Sequence, residues 1–149
     1  MDSTDSTNVD PVEIELLLIF PLEASLPPAP YSPSGDRAAQ IRQTVRALRR
    51  SIELKNRLKA LINAFYLGKL FDDGAETISQ KFLRKREVNR HYVAMADKIY
   101  DVFETNPASL LETSTITVQQ ARRWKRPQVL RYRSIVEGNI QNNFVGAQN

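Results

Sequence analysis

The chain has 149 residues, 42% of them hydrophobic, a net charge of +4 and no cysteine. That length suits one domain with a modest core, and the lack of thiols excludes a disulfide framework and any thiolate metal site. The charge is unevenly spread. Residues 1–36 hold seven acidic and no basic side chains, residues 37–71 nine basic and one acidic, residues 72–106 six basic and seven acidic, and residues 107–149 six basic and two acidic. An acidic, proline-rich arm, 1–35, is expected to precede a basic helical domain, 36–149, and either to fold back on it or to compete with an acidic partner for it. No basic residue precedes Arg37, unlike a secretory signal or mitochondrial presequence, and the longest apolar run, residues 16–20, is too short to span a bilayer. A nuclear or cytoplasmic protein, not secreted and not membrane-spanning, is the expectation.

Residues 1–10 are small, polar and acidic, and the stretch 21–35 contains Pro21, Pro27, Pro28, Pro30 and Pro33, so both read as disordered or extended. Between them lies an apolar insert, 12–20, whose opening Val12-Glu13-Ile14-Glu15-Leu16 alternates with the period of a strand. Such a strand needs a partner. Pairing with Thr115-Ile116-Thr117-Val118, packing on the helices as an apolar plug, and addition to another protein's sheet edge are the alternatives.

The first helix is expected from Ser34 or Asp36 as cap to Gly68 or Phe71, with Asp72-Asp73-Gly74 as its breaker. Ile41, Val45, Leu48 and Ile52 form one apolar stripe, and Leu54, Leu58, Leu61 and Phe65 a second, rotated by more than a third of the circumference. Either the helix breaks between Ser51 and Lys55 or its halves meet different neighbours. A second helix, capped by Asp73 or Thr77 with Asp73 and Glu76 at capping-box spacing, runs to Asn106-Pro107 and buries Ile78, Phe82, Tyr92, Ala96, Ile99 and Phe103. A third follows the Thr113 to Thr117 punctuation or starts at Pro127, with Val129, Tyr132, Val136, Ile140 and Phe144 as its stripe and Gly138 as its weak point. The fold class read from this pattern is all-α, a small helical hairpin or three-helix bundle with an extended or disordered N-terminal arm.

Little chemistry is legible. His91 is the sole histidine and has no nucleophile at recognisable spacing, the five glycines are isolated, and Asp72-Asp73-Gly74 lacks the ligand spacing of a calcium loop. No enzyme, no metal and no cofactor is expected. What remains are basic clusters. Arg42, Arg46, Arg49 and Arg50 fall opposite the first apolar stripe, and no acid interrupts residues 37–52. Lys81, Arg84, Lys85 and Arg86 surround Phe82 and Leu83; Arg122, Arg123, Lys125 and Arg126 surround Trp124, with Arg131 and Arg133 beyond. The second and third runs also have the composition of nuclear-import signals. Such faces suit a protein partner, a nucleic acid or solvent alone. Trp124 is either a buried bundle residue, the commoner fate of tryptophan, or an exposed anchor. The expected function is a helical adaptor or assembly subunit that binds protein partners through apolar stripes and basic faces. The alternatives are a basic helical nucleic-acid-binding protein and, third, an amphipathic helix resting on anionic lipid.

Overall fold

The computed structural model of the chain describes residues 10–19, 24–73 and 90–148, with side chains of the final stretch as far as Gly138. These residues are all-α, with no strand among them. In chain order they form α1 (Pro11–Leu17), α2 (Arg37–Glu53), α3 (Arg57–Asp73), α4 (Arg90–Phe103), a 3-10 helix (Pro107–Glu112), α5 (Val118–Arg123) and α6 (Arg126–Gln148).

The insert expected as a strand is helical. Asp10 caps α1 through a carboxylate oxygen that accepts from the N–H of Val12 at 2.9 Å and of Glu13 at 3.4 Å, and Pro11 occupies the first turn, where its missing N–H costs nothing. The alternating string Val-Glu-Ile-Glu-Leu also places Val12 and Leu16 four residues apart. On a helix those two side chains, with Ile19 beyond, share the buried face, while Ile14, Leu17 and Leu18 stay exposed. A helix satisfies its own backbone, which a lone strand cannot. The proposed strand partner at 115–118 is the end of a loop and the first residue of α5.

Of the two alternatives for residues 34–71, the break is the one observed: the segment forms two helices. Asp36 caps α2 by accepting from the N–H of Ala39 at 2.8 Å. The chain leaves α2 in a Schellman turn: Asn56 N donates to the Ser51 carbonyl at 2.9 Å, Lys55 N to the Ile52 carbonyl at 3.0 Å, and Lys55 takes the left-handed φ of 56° usually given to glycine. Asn56 then caps α3 through the Lys59 N–H at 3.2 Å, and Asn63 Nδ2 bonds back to Ser51 Oγ at 2.7 Å, fixing α3 against the end of α2. The break sits at the end of the window that the shift of stripes indicates. Ile41, Val45, Leu48, Leu61 and Phe65 are buried as expected, but Leu54, in the turn, is 66% exposed.

Helix α3 is buried on nearly every side, from Ala60 to Phe71, as a helix apolar all round must be. It packs between α2 and α4. Gly68 makes the α4 contact possible: a Cβ there would strike the Ala96 carbonyl oxygen and the Tyr100 Cβ. In α4, Ala96, Ile99 and Phe103 are buried and Tyr92 partly so, matching their stripe. The expected cap at Thr77, the Asp73–Glu76 box, Ile78, Phe82 and the Lys81 to Arg86 run lie wholly or partly outside the described residues.

Both expected starts of the last helix are used. Thr117 and Gln120 form a reciprocal capping box for α5, and α6 begins beside Pro127. Val129, Tyr132 and Val136 are buried; the side chains of Ile140 and Phe144 lie outside the described set. One apolar cluster joins α2 to α6 and includes Val12, Leu16 and Ile19 of the arm. Residues 24–36 carry no helix, yet Leu26 and Tyr31 pack against that cluster and the Tyr66 hydroxyl donates to the Pro27 carbonyl at 2.5 Å. Among the described residues, no helix is long and apolar enough to cross a membrane.

Candidate interaction surface

The core stripe of α2 fixes where its arginines go. Ile41, Thr44, Val45, Leu48 and Ser51 face inward, so at 100° per residue Arg42, Arg46, Arg49 and Arg50 fall together on one outer flank. Arg46, Arg49 and Arg50 are exposed and Arg42 half-buried. Arg49 lies over the ring of Tyr92 at 5.8 Å, a cation–π contact that ties this flank to the first turn of α4, where Arg90 and His91 are also exposed. Among the described residues, Arg42, Arg46 and Arg50 have no carboxylate partner.

The basic residues after α4 are arranged differently. Arg126 pairs with Asp101 at 2.7 Å. Arg133 bonds the same carboxylate at 2.6 Å and also reaches Glu104 at 3.3 Å and Glu137 at 2.9 Å. These bonds raise the Arg133 pKa, the bond to Glu137 most. Arg131 grips Glu13 of α1 in a two-point contact, Nε to Oε2 at 2.7 Å and NH2 to Oε1 at 2.6 Å, which holds that carboxyl below its ordinary value. Arg122 is half-buried, and its carbonyl accepts from Lys98 Nζ at 2.6 Å; Arg123 and Lys125 are exposed. Trp124 is 5% exposed and meets the Tyr132 ring edge-on at 4.9 Å. Of the two roles open to it, burial is the one observed, so the cluster Arg122 to Arg126 does not have Trp124 as an exposed aromatic platform.

The structure therefore separates the candidates by what they face. Arg42, Arg46, Arg49 and Arg50 form one outward flank, Arg123 and Lys125 are exposed on the α5–α6 turn, Arg126 is turned onto Asp101, and Trp124 belongs to the core. The described residues contain no group of His, Asp and Glu able to hold a metal ion.

No family model, curated protein or solved structure matches this chain.

One constellation has no counterpart in the sequence reading. The Glu15 carboxylate accepts the backbone N–H and hydroxyl of both Ser114 and Thr115, three of these bonds being 2.8 Å long. Burial pushes this carboxyl up, but the four donors outweigh it and hold it below the usual carboxylate range. On the same loop Arg57 donates to the Thr113 hydroxyl at 3.0 Å and to the carbonyls of Thr113 at 2.6 Å and Ile116 at 3.0 Å. The Tyr132 hydroxyl donates to Asp10, and burial first, then this bond, raises its pKa. Contacts separated by 56 to 122 residues leave no local spacing to read. The one available signal was the charge asymmetry, which pointed to an arm that could fold back.

Proposed function

We propose that the chain is a non-enzymatic interaction subunit, nuclear or cytoplasmic, that docks an acidic protein partner on the arginine flank of α2. The body is read as a helical bundle built around α3, with the N-terminal arm laid over it. The surplus of apolar faces on residues 34–71 gives little support to an adaptor, because most of both stripes is taken up within the chain, Leu54 being the residue left exposed. The observation that carries the reading is the contrast among arginines. Arg57, Arg126, Arg131 and Arg133 are spent on the chain's own carboxylates, carbonyls and hydroxyls, whereas Arg42, Arg46 and Arg50 share one flank without such partners among the described residues.

A protein is favoured over a nucleic acid by the burial of Trp124. It removes the stacking platform that single-strand recognition would use among Arg122 to Arg126. Exposed Ile14, Leu17, Leu18 and Leu54 also suit a protein surface better than a phosphate backbone. Affinity purification of the tagged full-length chain from its native cell, with and without nuclease, tests the reading. Recovery of a stoichiometric protein that survives nuclease is expected. Recovery of nucleic acid alone, or loss of every partner on nuclease treatment, would replace it with the nucleic-acid reading.

A further inference from the structure

Helix α1 is held as a ligand is held. Three of its acids each meet a separate set of donors: Asp10 the Tyr132 hydroxyl, Glu13 the Arg131 guanidinium, and Glu15 the N–H and O–H groups of Ser114 and Thr115. Between these points Val12 and Leu16 are buried where α1 packs on α6, and Ile19 beyond them joins the same apolar cluster. Seven residues are too few for a stable isolated helix, so α1 depends on the surface it packs on for its order. The loop that receives Glu15 has two anchors besides α1. Arg57 fixes the 113–116 loop from the α3 side, and Thr117 with Gln120 fixes where that loop enters α5.

We infer that this surface is a docking site for a short acidic, apolar helix, and that α1 is its intramolecular occupant, exchangeable for a protein partner's helix of the same pattern: an acid, an apolar residue two positions on, an acid next, then an acid and an apolar residue side by side. The chemistry of the occupant is read from α1 itself. Carboxylates must stand where Asp10, Glu13 and Glu15 stand and apolar side chains where Val12 and Leu16 stand, because the donors and the apolar surface lie on the body. Charge complementarity is centred on Arg131, which pairs with Glu13, whereas Arg126 and Arg133 are taken by Asp101, Glu104 and Glu137. Such a helix docking in trans would displace α1 and expose Val12, Leu16 and Ile19. The inference rests on the interaction-subunit reading only in supposing a protein partner, and its test leaves Arg42, Arg46 and Arg50 untouched, so the two fail separately.

The experiment uses the full chain and a labelled synthetic peptide of residues 10–19, read by fluorescence anisotropy. Weakening the internal occupant with Asp10→Asn and Glu15→Gln raises the fraction of open sites, so the native peptide is expected to bind that variant at least about tenfold more tightly than the wild type. A chain carrying Arg131→Glu repels its own Glu13, and is expected to prefer a peptide carrying Glu13→Arg over the native peptide by about tenfold. Circular dichroism of each chain confirms the fold. Equal affinity for the wild-type and Asp10→Asn/Glu15→Gln chains, no binding to either, or no preference of the Arg131→Glu chain for the complementary peptide would show α1 to be a permanent part of the core.

Discussion

Glu15 and Arg57 hold one loop from two sides: Glu15 takes the N–H groups of Ser114 and Thr115, and Arg57 donates to the carbonyls of Thr113 and Ile116. An acid from the arm and a base from the first turn of α3 thus satisfy opposite polar groups of a connection that has no secondary structure of its own. Thr113 and Ile116 are buried, so their carbonyls lose a charged donor when Arg57 is removed. Arg57→Ala is expected to cost ~1–3 kcal/mol, the range for buried acceptors left without their donor. Urea unfolding followed by circular dichroism checks it; a loss below about 1 kcal/mol would mean that the loop is held by other contacts.

Acidification should release the arm before it unfolds the body. Glu13 and Glu15 both sit below their ordinary value of 4.5 in the folded chain. A depressed folded-state pKa contributes stability that is present above the ordinary value and is lost as pH falls through the lowered one. Docking of α1 is therefore expected to hold at pH 6 and to weaken below about pH 4. Protection of the α1 amides against hydrogen exchange, corrected for the intrinsic rate at each pH, should fall there while that of α3 persists.

The α3–α4 crossing depends on one missing methyl. Gly68→Ala improves helix propensity by about 1 kcal/mol, but the added carbon meets the backbone of Ala96 and the root of Tyr100, neither of which can rotate away. Overpacking of this kind costs ~1–3 kcal/mol, so a net loss of stability is expected, visible as a lower melting temperature. A rise in melting temperature would show that the two helices can separate slightly at no cost.

Lys55 offers the opposite case. Its φ of 56° carries the penalty of a left-handed L-residue, and the Schellman turn requires that conformation. Lys55→Gly is expected to stabilise the chain by about 1 kcal/mol without changing the fold.

Trp124, the chain's only tryptophan, serves as its own probe. Buried against Tyr132, it should emit at short wavelength and resist acrylamide in the native state, then shift to the red on unfolding. Trp124→Ala is expected to cost ~3–5 kcal/mol, as loss of a large core side chain does.

The all-α fold was legible because the stripes at Ile41, Ile99 and Val129 repeat at helical spacing over several turns. The shift between the Ile41 and Leu61 stripes also signalled a break. What hid its place was the residue used: Lys55 fills a position where glycine would have announced a helix end. The insert at Val12 misled because alternation over five residues fits a strand and, by its four-residue interval, a helix face as well. The arginine flank of α2 was visible as arginines recurring over residues 37–52 with no acid among them. The fate of the other bases was not, since Asp101 takes Arg126 and Arg133 from 25 and 32 positions away, and only folding brings them together.

The central claim is that the α2 flank is spare for binding, and one comparison tests it directly. Arg42→Glu, Arg46→Glu and Arg50→Glu combined break no ion pair among the described residues, so stability should change little, about 0.5 kcal/mol per site or less. The same purification of wild-type and triple-variant chains, nuclease-treated, should then recover the acidic protein partner with the first and lose it with the second. Retention of that partner by a well-folded triple variant would contradict the account.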